Sequence, residues 1–423
     1  MNTFGIQLVE TGGRPAGFDY IRLSLAVAVI AFHSFTVSYG HNGEGLLWTG
    51  PLGPLCFAAV PAFFALSGFL VAGSLERNDL PSFLTLRGLR IFPALFVEVV
   101  LSALILGPLI TTLSLSDYFS NQMFREYFLN VLGDIHYYLP GVFDNPPSPK
   151  WVNIQLWTVP FELESYIWIS LLALARMHKR PALYMALVIV ASVGVFAHGL
   201  ISHHFYLGTD RPSGSFLILS ALFGAGLYLL RDRIPFRWSY FIIAAVLAYV
   251  FLSHGATHYL ALLPLSYVTV FLGLCDPSRT FVVRGADYSY GMYLYGFPIQ
   301  QTIAFLLPDT RIWYVNFVLS VILAACFAAF SWHVIEKPVL AQKKGAVKFV
   351  QGLALSHPVL RKLFQWEISW GDKRSHNKVD PLSGSPAWTV NVRHGSKPTR
   401  PDQAITAPQD GSERLSPLRQ DIN

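Results

Sequence analysis

Residues 18–340 consist of long apolar stretches that alternate with short breaks rich in charged residues, proline and glycine. A helix that spans a bilayer needs about 20 mostly apolar residues, because the hydrocarbon core is about 30 Å thick. Ten stretches meet this requirement to within a few residues: 18–38, 53–74, 91–112, 155–175, 182–200, 215–230, 239–253, 258–275, 287–307 and 312–335. The pattern therefore predicts an all-α polytopic membrane protein with about ten transmembrane helices.

The first stretch is not typical of a cleavable signal peptide. It runs on for about 20 residues, it begins with Asp19 and Arg22, and further apolar stretches follow it. No soluble domain of any size interrupts the series, and no internal repeat is evident. We therefore expect one transmembrane domain over residues 1–340.

Residues 341–423 differ in composition from the rest of the chain. They are rich in Pro, Ser, Gly and Gln and contain few aliphatic runs, which is typical of a disordered segment. The stretch around 349–370 has two interpretations: a short amphipathic helix on a membrane surface, or a linker with scattered aromatic residues. We predict that 341–423 is a cytoplasmic, mostly disordered basic tail.

The composition agrees with a membrane protein, since 53% of the residues are hydrophobic and 13% are charged. A soluble domain carries about 25% charged residues, so the composition excludes a disordered chain and argues against an ordinary cytosolic enzyme. The three cysteines, Cys56, Cys275 and Cys326, are too few for a disulfide framework and too widely spaced for a zinc ribbon. We predict neither a metal site nor a permanently bound cofactor.

The net charge of +6 belongs entirely to the tail. The tail holds 13 Lys and Arg residues against 7 Asp and Glu residues, which leaves 18 of each sign in the body out of the 31 and 25 in the chain. A nucleic-acid partner is therefore not needed to explain the charge. We expect the tail to stay near the anionic inner leaflet of the bilayer.

The basic residues of the loops predict the orientation of the helices, because Lys and Arg are enriched in cytoplasmic loops. Alternate loops hold 13 of them on one side and 4 on the other. The larger set is Arg14, Arg77, Arg87, Arg90, Arg176, Lys179, Arg180, Arg231, Arg233, Arg237, Arg279, Arg284 and Lys337. The smaller set is Arg125, Lys150, Arg211 and Arg311. Both termini are therefore predicted to face the cytoplasm.

The first apolar stretch carries ionisable side chains, which are costly inside a bilayer and mark functional sites. Arg22 and His33 are 11 residues apart, so they share one helix face and lie about 16 Å apart along the axis. The alternative is that Arg22 snorkels to the interface and His33 only packs within the bundle. Their common face favours the functional interpretation.

Two further sets of charged residues lie in the apolar body. Glu162 follows Pro160 near the outer end of the fourth stretch, at a depth similar to that of His33, although an interfacial residue would look the same. Arg87 and Arg90 are helix neighbours at the cytoplasmic end of the third stretch, where they would form a fork for phosphates or supply ordinary positive-inside charge. Glu98, deeper in that stretch, is expected to be a structural partner of an arginine.

Several short motifs occur in a fixed order along the body. They are FDYIRLSLAVAVIAFHSF with Arg22 and His33, FFALSGFLV (63–71), LRGLRIFPALF (86–96), LWTVPFELESY (156–166), DYSYGMYLYGFPIQQ (287–301) and SWHVIEKP (331–338). In this set and order they resemble the membrane-bound acyltransferase-3 family, which includes O-antigen, exopolysaccharide and nodulation-factor O-acetylases. Tyr295-Gly296 departs from the Trp-His of many members, so we assign no second catalytic histidine. The tail has no counterpart in the resemblance.

The resemblance implies an O-acyltransferase of the bacterial inner membrane with ten spans and cytoplasmic termini. Its co-substrate would be acyl-CoA, with acetyl as the default group, and its acceptor a hydroxyl of an envelope or exported glycan, such as lipopolysaccharide or exopolysaccharide. We expect Arg22, Arg87 and Arg90 to hold the CoA phosphates. We expect His33 to act as the general base, with Glu162 orienting its ring or stabilising its protonated form.

Other residues of the motifs are candidates for lining the substrate channel. They are Asp19, Ser67, Trp157, Tyr166, Tyr290 and Tyr293. For the aromatic ones, interfacial packing is an equally good interpretation. Two alternatives stay open at this point: His33 as an acyl-accepting nucleophile, and a transporter or flippase of a glycan or lipid-linked sugar, in which buried Arg, His and Glu serve as a proton relay.

Overall fold

The structure, a computed structural model, describes residues 2–144, 149–201, 211–280, 283, 285–308 and 311–356. Within these residues the regular secondary structure is helical, apart from one isolated β-bridge between Thr3 and Pro235. The prediction of an all-α protein is thus confirmed. The predicted disordered tail lies outside the described residues from 357 onward, and only its beginning is described.

The helices of the described residues are numbered here in chain order. They are α1 (Phe4–Glu10), α2 (Gly17–Trp48), α3 (Gly53–Arg77), α4 (Leu80–Ile110), α5 (Leu115–Ser120), α6 (Gln122–Tyr127), α7 (Val159–Leu174), α8 (Pro181–Ile201), α9 (Gly214–Leu229), α10 (Trp238–Leu252), α11 (Leu262–Leu274), α12 (Ser289–Leu306), α13 (Trp313–Ala341) and α14 (Lys343–Ser356). Helices α4 and α13 each contain one π-helical turn, at Ser102–Leu106 and Ser331–Glu336.

A helix occupies each of the ten stretches predicted to span the membrane. Six helical segments of the described chain are long and apolar enough to cross a bilayer: Gly17–Gly40, Gly53–Arg77, Leu80–Ile110, Pro181–Gly199, Gly255–Leu274 and Trp313–Ala341. The other four helices, α7, α9, α10 and α12, have 15 to 18 residues. Crossing by all ten, and the orientation of the termini, therefore remain predictions.

Glycines allow α3 and α9 to cross at unusually short distance. A Cβ atom on Gly68 would overlap the carbonyl oxygen of Ala221, and a Cβ atom on Gly224 would overlap that of Ala65. The two glycines thus lie against each other's helix in a reciprocal arrangement. Small residues at such crossings let helix backbones approach closely in membranes, where the hydrophobic effect does not drive helices together.

The segment 149–158, before α7, is held inside the bundle by side-chain amides. Asn153 Nδ2 donates to the carbonyl oxygen of Leu294 at 3.0 Å, and Gln155 Nε2 donates to that of Tyr293 at 2.6 Å. Gln301 on α12 donates in turn to the carbonyl oxygen of Trp151 at 2.8 Å. These bonds satisfy backbone groups that would be costly to leave unpaired at this depth. They also fix where α7 begins, and with it the position of Glu162.

Candidate active site

Four charged residues form a closed network where the N-terminal halves of α2 and α4 meet the segment before α12 and the π-turn of α13. Asp287 Oδ2 lies 3.0 Å from Arg22 Nη1 and 2.7 Å from Arg90 Nη2. Arg90 Nη1 lies 2.7 Å from Glu336 Oε2. Ser289 and Ser331 donate to the remaining oxygens of the two carboxylates at 2.6 and 3.1 Å. Two cations and two anions balance, so the network is formally neutral.

Asp287 is the centre of this network and lies in the segment before the first turn of α12. Burial alone would raise the pKa of its carboxyl group, but Arg90 and Arg22 outweigh that effect and hold the pKa well below its usual range. Asp287 is therefore ionised at neutral pH. Because its folded-state pKa is lowered, its contribution to stability is present above about pH 4 and is lost only as the pH falls below that value.

Arg90 is fully occupied by this network. Besides its two carboxylate partners, its guanidinium lies 5.4 Å from the ring centroid of Tyr290 and 5.9 Å from that of Trp332. The Tyr290 hydroxyl donates to the carbonyl oxygen of Ile91 at 2.9 Å, which fixes the ring beside Arg90. The arrangement holds α4, α12 and α13 together.

Arg87, one helical turn from Arg90, is in a different situation. Its guanidinium lies 5.9 Å from the ring centroid of Phe83, and its buried Nε has no hydrogen-bond partner. No hydrogen bond or ion pair joins it to any other residue that the structure describes. Its electrostatic neighbours include Arg22 and Arg90, both already paired, and Glu162. The predicted arginine fork therefore holds one guanidinium that is neutralised by ion pairs and one that forms no ion pair with a described residue, although Glu162 is within electrostatic reach.

Glu162 lies in a small polar cluster formed by α3, α4, α7 and α12. Its Oε1 accepts a hydrogen bond of 2.5 Å from the hydroxyl of Tyr166, and Ser67 lies beside the same hydroxyl. Arg87 and the two tyrosines of α12, Tyr290 and Tyr293, are within electrostatic reach of the Glu162 carboxylate. The structure thus brings together six residues that the sequence motifs had singled out.

His33 lies between two aromatic rings on the same helix as Arg22. Its ring centroid is 4.7 Å from that of Phe32 and 5.2 Å from that of Phe297, in an edge-on contact. Its Nδ1 is buried without a hydrogen-bond partner, and no hydrogen bond joins the ring to Glu162 among the described contacts. The proposed support of His33 by Glu162 therefore stays a prediction. Beyond Phe32, the ring of Trp48 borders a pocket that is also lined by Phe57 and His258.

Two of the predicted channel residues lie in different surroundings. Asp19 forms ion pairs with Arg279 at 3.0 Å and Arg14 at 3.9 Å, at the beginning of α2. Trp157 packs against Phe161, and the guanidinium of Arg211 lies 5.1 Å from its ring centroid. Neither contacts the cluster around Glu162 in any described interaction. The hydroxyl of Tyr293, by contrast, bonds to Thr158 at 2.9 Å and so ties α12 to the start of α7.

The expectation that Glu98 pairs with an arginine is wrong. Its Oε1 accepts hydrogen bonds from Ser102 Oγ at 2.8 Å and Asn153 Nδ2 at 2.7 Å, and its Oε2 has no partner. The side chain points toward the segment 149–158 instead of toward the cationic end of α4. Spacing along one helix could not reveal this, because Asn153 lies 55 residues further along the chain.

Asp287 and Glu336 belong to the charged network but were not predicted as site residues. Both occur in the motifs DYSYGMYLYGFPIQQ and SWHVIEKP, so their positions were noted while their roles were not. Part of their role could have been predicted from the sequence. Arginines inside a membrane require acidic partners, and few acidic residues lie within the apolar stretches. The choice of partner depends on contacts across 197 and 246 residues of chain.

The chain is similar to known proteins over most of its length. Residues 16–335 match the family model described as an acyltransferase domain. The O-acetyl transferase of Shigella phage Sf6 is 27% identical over 342 residues, which cover 77% of this chain and 96% of that protein. Nodulation protein 10 of Rhizobium leguminosarum bv. viciae is 28% identical over 381 residues, which cover 80% of this chain and 96% of that protein. No solved structure matches the chain.

Proposed function

The chain belongs to the acyltransferase-3 family and is an O-acyltransferase, and from that premise we propose that it moves an acetyl group from cytoplasmic acetyl-CoA to a hydroxyl of an envelope or exported glycan. The name of the phage relative, an O-acetyl transferase, supports the acetyl group. We further propose that the protein acts in the bacterial inner membrane, with donor and acceptor arriving from opposite sides.

The observation that carries the proposal is the unpaired guanidinium of Arg87. Arg87 is half-buried, and its buried Nε has no hydrogen-bond partner, so its guanidinium favours an anionic ligand. Arg22 and Arg90 are neutralised by Asp287 and Glu336, and we assign them to the framework that presents Arg87. The phosphates of CoA supply the missing negative charge and are well matched to the donor geometry of a guanidinium.

His33 supports the chemical step. Arg22 and His33 stand on one helix about 16 Å apart, a length comparable with that of an extended pantetheine arm. A thioester whose CoA phosphates lie near Arg87 would therefore reach the level of His33. The imidazole of His33 packs beside the rings of Phe32 and Phe297, and a neutral imidazole in this position would serve as a general base.

In the proposed reaction, the imidazole of His33 takes the proton of the sugar hydroxyl as its oxygen attacks the thioester carbonyl carbon. A C–O bond forms, the C–S bond breaks, and the thiolate of CoA leaves with the proton returned by His33. Glu162 is proposed to act through its field, because its hydrogen bond goes to Tyr166 and not to His33. Its negative charge would stabilise the positive charge that develops on the ring during transfer.

Acetyl transfer by the purified protein in lipid nanodiscs tests the proposal. We expect His33→Gln to lower kcat at least about 100-fold while acetyl-CoA binding persists, because general-base catalysis contributes about 10²- to 10⁴-fold. Glu164→Gln is a control for the general effect of a substitution in the apolar body, since Glu164 is exposed. Full acetylation of envelope glycan by His33→Gln at normal expression would refute the assigned role. Trapping of labelled acetyl on the protein without acceptor would instead indicate an acyl-histidine intermediate.

A further inference from the structure

Helix α14 begins where a membrane-spanning helix ends. The last spanning segment of the described chain, α13, runs to Ala341, and α14 follows from Lys343 after a single turn residue. The middle of α14 is fixed to the first turn of α4, because Gln351 Nε2 donates to Asp79 Oδ2 and Ser82 Oγ, both at 2.9 Å. The helix is thus placed beside the ends of two spans, at the level of one membrane surface.

Three different faces run along α14. Val347, Val350 and Ala354 are half-buried or buried and lie on the side facing the rest of the protein. Phe349 and Leu353 lie on the neighbouring flank and are 73% and 61% exposed. At about 100° per residue they share one face and lie about 100° to 140° around the axis from Ala354. This flank is apolar and is covered by no described part of the chain.

The third face of α14 is basic. Lys344 and Lys348 are exposed and lie about 80° to 120° from Ala354 in the opposite sense to Phe349 and Leu353. The exposed Leu355, 40% accessible, belongs to this side. An apolar flank and a basic flank on either side of the contact with the protein are the arrangement expected of a helix that lies in the plane of a membrane surface.

We propose that α14 is an in-plane anchor that binds the anionic leaflet next to the first turn of α4. Phe349 and Leu353 enter the boundary between headgroups and acyl chains, while Lys344 and Lys348 contact lipid phosphates. We take lipid to be the partner of the apolar flank because of the position of α14. It begins where the spanning helix α13 ends, which is the level at which the bilayer changes from apolar to polar. This surface lies outside the acyltransferase domain match, which ends at residue 335, and the inference does not depend on the reaction.

Site-specific quenching tests the depth of the two flanks. Single cysteines at Phe349 and, as a control, at Leu355 are introduced with Cys56, Cys275 and Cys326 replaced by serine, and are labelled with bimane. The full chain is placed in phosphatidylcholine nanodiscs with 30% phosphatidylglycerol, and size-exclusion profiles confirm that each variant is folded. We expect doxyl-lipid quenching at least threefold stronger at 349 than at 355, and the reverse order for iodide. Equal quenching at the two positions by either agent would overturn the proposal.

The charge requirement is tested with the same label at position 349. We expect Lys344→Glu with Lys348→Glu to lower its lipid quenching at least twofold in discs with phosphatidylglycerol but not in pure phosphatidylcholine. Arg233→Glu with Arg237→Glu is the matched control, because both residues are exposed basic residues of another loop and the change in charge is the same. Equal effects of the two double variants, or no effect of the first, would contradict a headgroup contact by α14.

Discussion

Two arginines one helical turn apart on α4 illustrate how burial and partnership determine what a charged side chain does. Arg90 is neutralised by Asp287 and Glu336, so its removal would leave two carboxylates without a shared cation. Arg87 has no such ion pair and its buried Nε has no hydrogen-bond partner, so its removal would break no ion pair to a described residue. We therefore assign Arg90 to the framework and propose Arg87 for ligand binding.

Replacement of each arginine by glutamine should separate these contributions. We expect Arg87→Gln to weaken acetyl-CoA binding about 10- to 100-fold, the value of one or two charge-assisted hydrogen bonds, with no loss of thermal stability. We expect Arg90→Gln to lower the free energy of unfolding by about 3 kcal/mol or more, because a buried ion pair is broken. Isothermal titration and thermal unfolding in nanodiscs measure the two effects. A large loss of stability in Arg87→Gln with unchanged binding would contradict the assignment.

The common helix face of Arg22 and His33 was predictable here, while the ion pairs of the arginines were not. Arg22 and His33 share a face because a helix repeats regularly over 11 residues, and that relation depends on local geometry alone. The bonds of Arg22 and Arg90 to Asp287 bridge 265 and 197 residues. Such contacts depend on how helices pack, and a single sequence carries no direct record of packing. The pairing of Glu162 with Tyr166, four residues away on α7, was within reach of helical spacing.

At the scale of helices, the crossing of α3 and α9 depends on the lack of a side chain at Gly68. We expect Gly68→Ala to destabilise the protein by about 1–3 kcal/mol, because the added methyl group meets a backbone carbonyl that cannot move aside. Gly194→Ala on the spanning helix α8 is the matched control, since a Cβ there meets nothing within 4 Å. We expect that variant to be neutral or slightly more stable, as alanine favours helix. Comparable thermal unfolding of the two variants would contradict the close-crossing argument.

Glu98 couples α4 to the segment that precedes α7. We expect Glu98→Gln to keep thermal stability and activity near those of the unmodified protein, because the amide oxygen still accepts from Asn153 and Ser102. Glu98→Leu should cost about 1–3 kcal/mol of stability, because two buried donors lose their acceptor. Thermal unfolding together with kcat measures both effects. If the two variants lose stability equally, the carboxylate charge and not the acceptor is what matters.

The helices themselves were more predictable than their contacts. Runs of about 20 apolar residues are a local property, so a helix occurs at each of the ten predicted places. The helix lengths were less predictable. Helix α7, for example, starts only after a 3₁₀ turn at Ile154–Thr158, which ends the segment 149–158. For α14, the amphipathic interpretation of the stretch around 349–370 was useful, but the helix lies at Lys343–Ser356. The hydrogen bonds of Gln351 to Asp79 and Ser82, which hold α14 against α4, could not be predicted from the hydrophobic pattern.

For the whole molecule, the open question is how many of the ten helices cross the bilayer. The loop cations, 13 on one side and 4 on the other, are consistent with ten crossings in alternate directions. By length and hydropathy alone six described segments qualify, and α7 and α10 are not among them. If α7, α9 and α10 did not cross, the loop at Arg180 would face outward and the loop at Ser253 would face inward.

Labelling of single cysteines in spheroplasts with a membrane-impermeant maleimide distinguishes the two topologies. Arg180 and Ser253 are both exposed, and their replacements are made with Cys56, Cys275 and Cys326 changed to serine. With ten crossings, we expect a cysteine at 253 to be labelled and one at 180 to react only after the membrane is permeabilised. With six crossings, the two results are exchanged, because each position then lies on the opposite side.

Two further positions calibrate this experiment, since both topologies place them on the same side. Lys150 and Arg233 are exposed; Lys150 faces outward and Arg233 inward in either case. A cysteine at 150 should therefore always be labelled, and one at 233 never before permeabilisation. Labelling at 180 with these controls intact would contradict ten crossings.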